Sequence, residues 1–152
     1  MTLILALLIG IIAGLRAMTG PAAVALAARF HGWPLENSPV AFMAYRFTPW
    51  IFLFTAAAEL VTDQLPSTPS RKVPVQFGAR IVMGALAGAT IGAAAGAMLM
   101  GGIAGIIGAV IGTLGGAAMR SALAARFGSD RPAALIEDGI AIVGAFLIVS
   151  AV

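Results

Sequence analysis

Glu59 and Asp63 stand four residues apart in a stretch that is otherwise apolar. On a helix this spacing puts both carboxylates on one face. Two acids so placed have two chemical uses. They can bind a cation between them, or one can hold a proton, because like charges raise a carboxyl pKa. Glu59 falls about ten residues into a predicted helix, roughly 15 Å along it and close to mid-bilayer depth. Arg16 and Arg80 are the natural counter-charges: Arg16 sits inside an apolar segment and Arg80 near the start of another. Arg120 lies about two turns before the end of a third, and Glu137 and Asp138 fall in the first two turns of the last. Charges inside apolar segments cost several kcal/mol and face partners or water. These seven are the candidate ion- or substrate-binding residues. The bland alternatives are salt bridges that only hold helices together, Arg side chains that snorkel to the headgroups, and acids favoured by a helix N-terminus alone.

A second polar group is the run STPSRK, from Ser67 to Lys72. Ser67, Ser70, Arg71 and Lys72 could hold a lipid phosphate near the headgroups; a plain solvated loop is the competing reading. His31 is the only histidine and there is no cysteine, so multi-His metal sites, Cys metal sites and thiol catalysis are excluded within one chain. No Ser/His/Asp order, phosphate-binding loop or H-E-x-x-H motif stands out, so no enzyme, cofactor or metal site is expected.

The elements that must position these charges belong to a membrane. Hydrophobic residues make up 61% and charged residues 10% of 152, against about 25% charged in soluble domains. So few charges could not cover a soluble surface. The formal charge of +3 comes from scattered Arg residues rather than a basic patch, which argues against nucleic acid as a partner. One all-α transmembrane domain spanning 1–152 is expected, in the cell's inner membrane, in contact with lipid.

Five apolar segments are predicted. The first runs from Thr2 to about Phe30 and is kinked or broken near Thr19-Gly20-Pro21, because Pro21 removes a backbone hydrogen bond. The second starts at Thr48-Pro49, with Thr48 as N-cap and Pro49 first in the helix, and runs to about Gln64. Trp33, Tyr45 and Trp50 are candidate interface anchors. The third covers about Val75 to Met100 and the fourth about Gly101 to Phe127, joined by a tight turn at Gly101-Gly102. The fifth runs from Pro132 to the end. QLPSTPSRKVP and GSDRP are the polar connections, the first stiffened by Pro66, Pro69 and Pro74. Five crossings with the N-terminus in the cytoplasm put Arg71, Lys72, Arg126 and Arg131 inside against Arg29 and Arg46 outside. The positive-inside rule then favours N-in, C-out. The start lacks a basic n-region and reads as a retained helix rather than a signal peptide. ALAARF occurs twice, at Ala25–Phe30 and Ala122–Phe127, each time before a Gly-containing loop and a helix with two acids. That echo suggests an inverted repeat, a transporter signature; chance is the alternative in so Ala-rich a chain.

The third segment carries Gly84, Gly88, Gly92 and Gly96 at a four-residue step, and the fourth carries Gly101, Gly105, Gly108, Gly112 and Gly116. Each set lines one helix face and predicts backbone-to-backbone packing, which replaces the hydrophobic effect in lipid. The two helices form a frame within the chain or across a homo-oligomer.

GLRAMTGPA, ELVTDQLPSTPSRKVP, GARIVMGALAG and ALIEDGIAIVGA together resemble a bacterial family of small multi-helix integral membrane proteins, a domain-of-unknown-function family. The resemblance covers nearly the whole chain. It implies a multi-helix membrane protein with characteristic polar residues at Arg16, Glu59, Asp63, Pro66, Pro69, Arg71, Arg80, Arg120, Glu137 and Asp138, and it implies no activity.

Three functions compete. The leading expectation is a small transporter or channel for an ion or small solute, with Glu59 and Asp63 taking a cation or proton and Arg16 as counter-charge or anion contact. The second is a structural or accessory scaffold whose charges only fix helix packing. The third is a lipid-headgroup binder using Ser67–Lys72 and Arg80.

Overall fold

The computed structural model describes residues 1–63 and 73–152, and among them every regular element is helical. Six α-helices follow in order: α1 (Thr2–Leu15), α2 (Thr19–Phe30), α3 (Thr48–Thr62), α4 (Pro74–Ala94), α5 (Met98–Phe127) and α6 (Asp130–Val149), with a short 3-10 helix at Ala41–Ala44 before α3. Helices α4, α5 and α6 are long and apolar enough to cross a membrane. At 1.5 Å per residue α4 and α6 reach ~30 Å, the thickness of a hydrocarbon core.

The first apolar segment is two helices. The chain leaves helical geometry at Arg16, which is extended at φ −137°, ψ 111°. Gly20 and Pro21 were the expected break, but they lie in the first turn of α2. There Pro21 costs nothing, since the first turn's N–H groups have no intrahelical acceptor. Gly20 instead serves a close approach: a Cβ there would stand 3.2 Å from the Ile9 carbonyl and 3.3 Å from the Ala13 methyl. Such proximity to α1 means that α2 doubles back beside it rather than continuing as a kinked rod.

That reversal sets the topology. Met1, Trp33, Ala95 and Val152 line one cavity, so both chain ends, the start of the α2–α3 connection and the α4–α5 turn share one end of the bundle. The turn between α1 and α2, the C-terminus of α3, the α5–α6 turn and the start of α4 lie at the other, through the contacts described below. The sequence reading of five crossings put the termini on opposite sides. Six helices that alternate in direction put them together.

Several boundaries move for local reasons. The α4–α5 turn is at Ala95–Ala97, with Gly96 at φ +70°, a conformation only glycine adopts cheaply. Gly96 is therefore the turn and not a rung of the helix face, and Gly101-Gly102 lies inside α5. α3 is N-capped by Phe47, so Thr48 is its first residue and Pro49 its second; the Thr48 hydroxyl donates back to the Phe42 carbonyl at 2.6 Å. α5 ends at a left-handed Gly128, and Ser129 precedes α6, which starts at Asp130 rather than Pro132. Tyr45 and Trp50 are exposed, whereas Trp33 is buried. The two ALAARF strings end α2 and α5, but the first is largely buried and the second largely exposed.

The centre is α1 against α5 against α4. A Cβ on Gly105 would lie 2.9 Å from the Gly84 carbonyl carbon and 3.1 Å from the Gly88 Cα. On Gly92 it would lie 2.6 Å from the Ala97 carbonyl oxygen, and on Gly84 2.6 Å from the Ala109 methyl. These pairs run antiparallel. The same helix meets α1 in parallel: a Cβ on Gly10 would lie 2.8 Å from the Gly105 Cα, and one on Gly108 2.8 Å from the Ile11 nitrogen. Gly88 meets Gly101, Gly112 meets Ile11, and Gly116 is also buried. Such separations are reached only without side chains.

Candidate functional site: a charged network at a broken helix

The break between α1 and α2 exposes two sets of backbone groups, the last carbonyls of α1 and the first amides of α2. Each set is met by an ionisable side chain from elsewhere. The carbonyls of Gly14 and Leu15 accept from Arg80 Nη1 at 3.1 and 2.7 Å. Gly14 also accepts from the Thr113 hydroxyl at 3.2 Å. On the other side, the amides of Ala17 and Met18 donate to Glu59 Oε1 and Oε2, each at 2.8 Å. Cation at a helix C-terminus and anion at a helix N-terminus is the arrangement that helix dipoles favour. The two side chains approach each other too, with Arg80 Nη2 3.8 Å from Glu59 Oε1.

Arg16 itself points into the bundle and is fully buried. Its Nη1 pairs with Asp63 Oδ2, and its Nη2 lies 2.5 Å from Asp138 Oδ1, an ion pair whose angle is poor for a hydrogen bond. Arg120 forms a two-pronged pair with Asp130, Nε to Oδ1 at 2.9 Å and Nη2 to Oδ2 at 2.5 Å. Its Nη2 also donates to the Asp63 carbonyl at 3.3 Å, and its Nη1 lies 3.6 Å from Glu137 Oε2.

All seven candidate charged residues thus meet in one network at one end of the bundle. Of the chain's six acids, only Glu36 is absent from it, so the acids are gathered at that end. Placement differs from expectation in four respects. Glu59 is in the last turn of α3, which ends at Thr62, so it is one turn from a helix end rather than midway. Glu59 and Asp63 share a helix face but engage different partners, Glu59 the amides of Ala17 and Met18 and Asp63 the Arg16 guanidinium. Arg16 and Arg80, 0% and 2% exposed, do not snorkel. Arg120 is half-buried, and Glu137 and Asp138 are buried against the bundle rather than merely decorating an N-terminus.

Ser67, Ser70, Arg71 and Lys72, with Pro66 and Pro69, lie outside the described residues. Asp130 and Thr113 were not anticipated. A signal for Asp130 existed: Gly-Ser-Asp is a left-handed helix end followed by a helix start, which folds the first turn of α6 back toward Arg120.

Beside the network, a groove of ≈ 570 Å³ runs between α2, α3 and α6, from Thr19 to His31 and Ser150. Ala22, Leu26, Ala56, Leu60, Ala145 and Phe146 make its walls apolar. The Thr19 hydroxyl, nine-tenths buried, has no hydrogen-bond partner among the described residues. Among those residues no group of three or more His, Cys, Asp or Glu side chains is placed to hold a metal ion.

Comparison with family models, with curated proteins and with solved structures gave no match to this chain.

Proposed function

We propose that the protein is a small membrane transporter or channel for an ion or small solute, with the break at residues 16–18 as its binding point and Glu59 as the carboxylate that takes the proton or cation. The observation that carries this is the pair of helix ends meeting inside the bundle, each held by an ionisable side chain. Broken helices whose ends point at a common locus are how transporters place polar backbone inside a bilayer. Here Glu59 occupies the position that an anionic ligand would take at the α2 N-terminus, and Arg80 the position that a cation would take at the α1 C-terminus. Loading Glu59 with a proton or cation weakens its hold on the Ala17 and Met18 amides and its attraction to Arg80, while Arg80 keeps the α1 carbonyls. Asp63 and Arg16 form the neighbouring pair that balances the charge.

The α4–α5 hairpin, locked at its glycines, is the frame. In the membrane, α4, α5 and α6 cross, while α1, α2 and α3, ~21, ~18 and ~22 Å long, are shorter than the hydrocarbon core, and α1–α2 is a hairpin that enters and returns. Asp63 and Val73, between which Arg71 and Lys72 lie in sequence, are at the charged end with Arg126 and Arg131; Arg29 and Arg46 belong to the other. The charge bias that suggested a cytoplasmic N-terminus for five crossings supports, for this arrangement, a cytoplasmic charged end with both termini opposite. Membership of the family resembled above and a homo-oligomeric state remain part of this proposal and rest on the motifs and the glycine faces.

The test is flux in proteoliposomes, with protons, monovalent cations and halides offered in turn. Flux of at least one, sharply lowered in Glu59→Gln while the protein stays monodisperse, is the expected result. No flux of any, or flux indifferent to that change, refutes the proposal. A second reading, a scaffold whose charges only fix packing, is favoured by how fully Glu59 and Arg80 are engaged. It predicts a stable partner retained on gentle detergent purification. The lipid-headgroup reading needs a specific lipid retained in native mass spectrometry.

A further inference from the structure

α3 stands apart from the other long helices. It packs on α2 and on the 3-10 helix, with little packing on α4, α5 or α6. The apolar groove separates it from α6, and Ile51, Phe54 and Val61 are exposed on its outside. Among the described residues, what ties its inner end to the bundle is polar. Glu59 holds the amides of Ala17 and Met18, Asp63 holds Arg16, and Arg120 donates to the Asp63 carbonyl.

We propose that α3 is a lateral gate over this groove, latched at its inner end by the ionised carboxylates of Glu59 and Asp63 and released when both are protonated. It rests on the reading above only in sharing Glu59. Protonation removes the charge that makes the bonds to Ala17, Met18 and Arg16 strong. Every other charged group at the latch keeps a partner on release. Arg16 retains Asp138 of α6, Arg80 of α4 retains the carbonyls of Gly14 and Leu15, and Arg120 of α5 retains Asp130 and Glu137. No guanidinium is left buried and alone, so the latch opens without the large penalty that an orphaned charge would impose. The outer end of α3 stays anchored through the 3-10 helix and the Thr48 hydroxyl bond to Phe42. The motion is therefore a swing of the charged end that widens the groove at Thr19 and Leu60.

The chain has no cysteine, so spin labels can be placed at will. One label pair on Val61→Cys and Leu135→Cys spans α3 and α6 at the charged end. A second on Val82→Cys and Ile106→Cys reports the α4–α5 frame. In the purified full chain in nanodiscs, with no transport substrate added, pulsed electron resonance is recorded at neutral and acidic pH, and in Glu59→Gln/Asp63→Asn at neutral pH. The expected result is a first-pair distance longer by ~5 Å, about half a helix diameter, at acidic pH and in the double variant, with the second pair unchanged. An unchanged first pair overturns the gate, whatever the flux assay finds. So does a lengthening of both pairs together, which is unfolding of the frame. Because the readout needs no flux, a gate that moves in a protein that transports nothing leaves this inference standing and removes the transporter reading.

Discussion

Glu59→Gln separates charge from shape at the helix break. The carboxylate offers two oxygens, and Ala17 and Met18 use one each at 2.8 Å. Glutamine offers one oxygen and an NH2 group, so one amide keeps a neutral bond and the other faces a donor. Exchanging a charged for a neutral hydrogen bond loses roughly 1 kcal/mol, and leaving the second N–H unmatched costs roughly 1–3 kcal/mol. The total is ~2–4 kcal/mol. In a chain of this length 1 kcal/mol moves the melting temperature by roughly 2–4 °C, so a fall of about 5–15 °C is expected. Unfolding in detergent, followed by circular dichroism and Trp fluorescence, measures it. Glu36, exposed in the connection before α3, is the control: Glu36→Gln should lie within ~0.5 kcal/mol of the wild type. If Glu59→Gln melts no lower than Glu36→Gln, the carboxylate does not hold the break, and the capping argument is wrong. Glu59→Asp should fall between the two, since it keeps both oxygens but is one methylene short of the amides.

Two further outcomes follow from the packing and the topology. Gly105→Ala, whose new methyl would overlap the Gly84 carbonyl, should destabilise by ~1–3 kcal/mol, whereas Gly139→Ala, which meets nothing within 4 Å, should stabilise by roughly 0.5–1 kcal/mol; equal melting temperatures would remove the case for close backbone packing. Short epitope tags placed before Met1 and after Val152 should be labelled from the same side of sealed vesicles, and labelling from opposite sides would rule out the alternating six-helix order.

The sequence made the residue types of the network legible but not their pairing. Arg16, Glu59, Asp63, Arg80, Arg120, Glu137 and Asp138 stand out because each interrupts an apolar run. The ionisable partners lie 41 to 66 positions apart for the break itself, and no local pattern encodes that. Local propensity points to Gly20-Pro21 for the break, because these are the strongest local breakers. It falls at Arg16 because Glu59 and Arg80 satisfy the backbone there, a tertiary effect that outweighs propensity. Gly96 shows the opposite: its step matches the helix face, yet it supplies the turn that lets the faces of α4 and α5 meet. The helical, membrane-length character of α4 to α6 was plain from apolar run length alone.

Gly14 has a further consequence. Its carbonyl accepts from both Arg80 and Thr113, and a Cβ on it would come within 2.7 Å of the Thr113 nitrogen. The residue that brings α1 against α5 is thus also the one that the guanidinium reads. A methyl group there would displace the acceptor from its donors without touching any ionisable side chain. Tolerance to substitution in this protein should therefore follow backbone clearance as closely as chemistry. A mutational map scored on charge alone would pass over positions that set where the charges can reach.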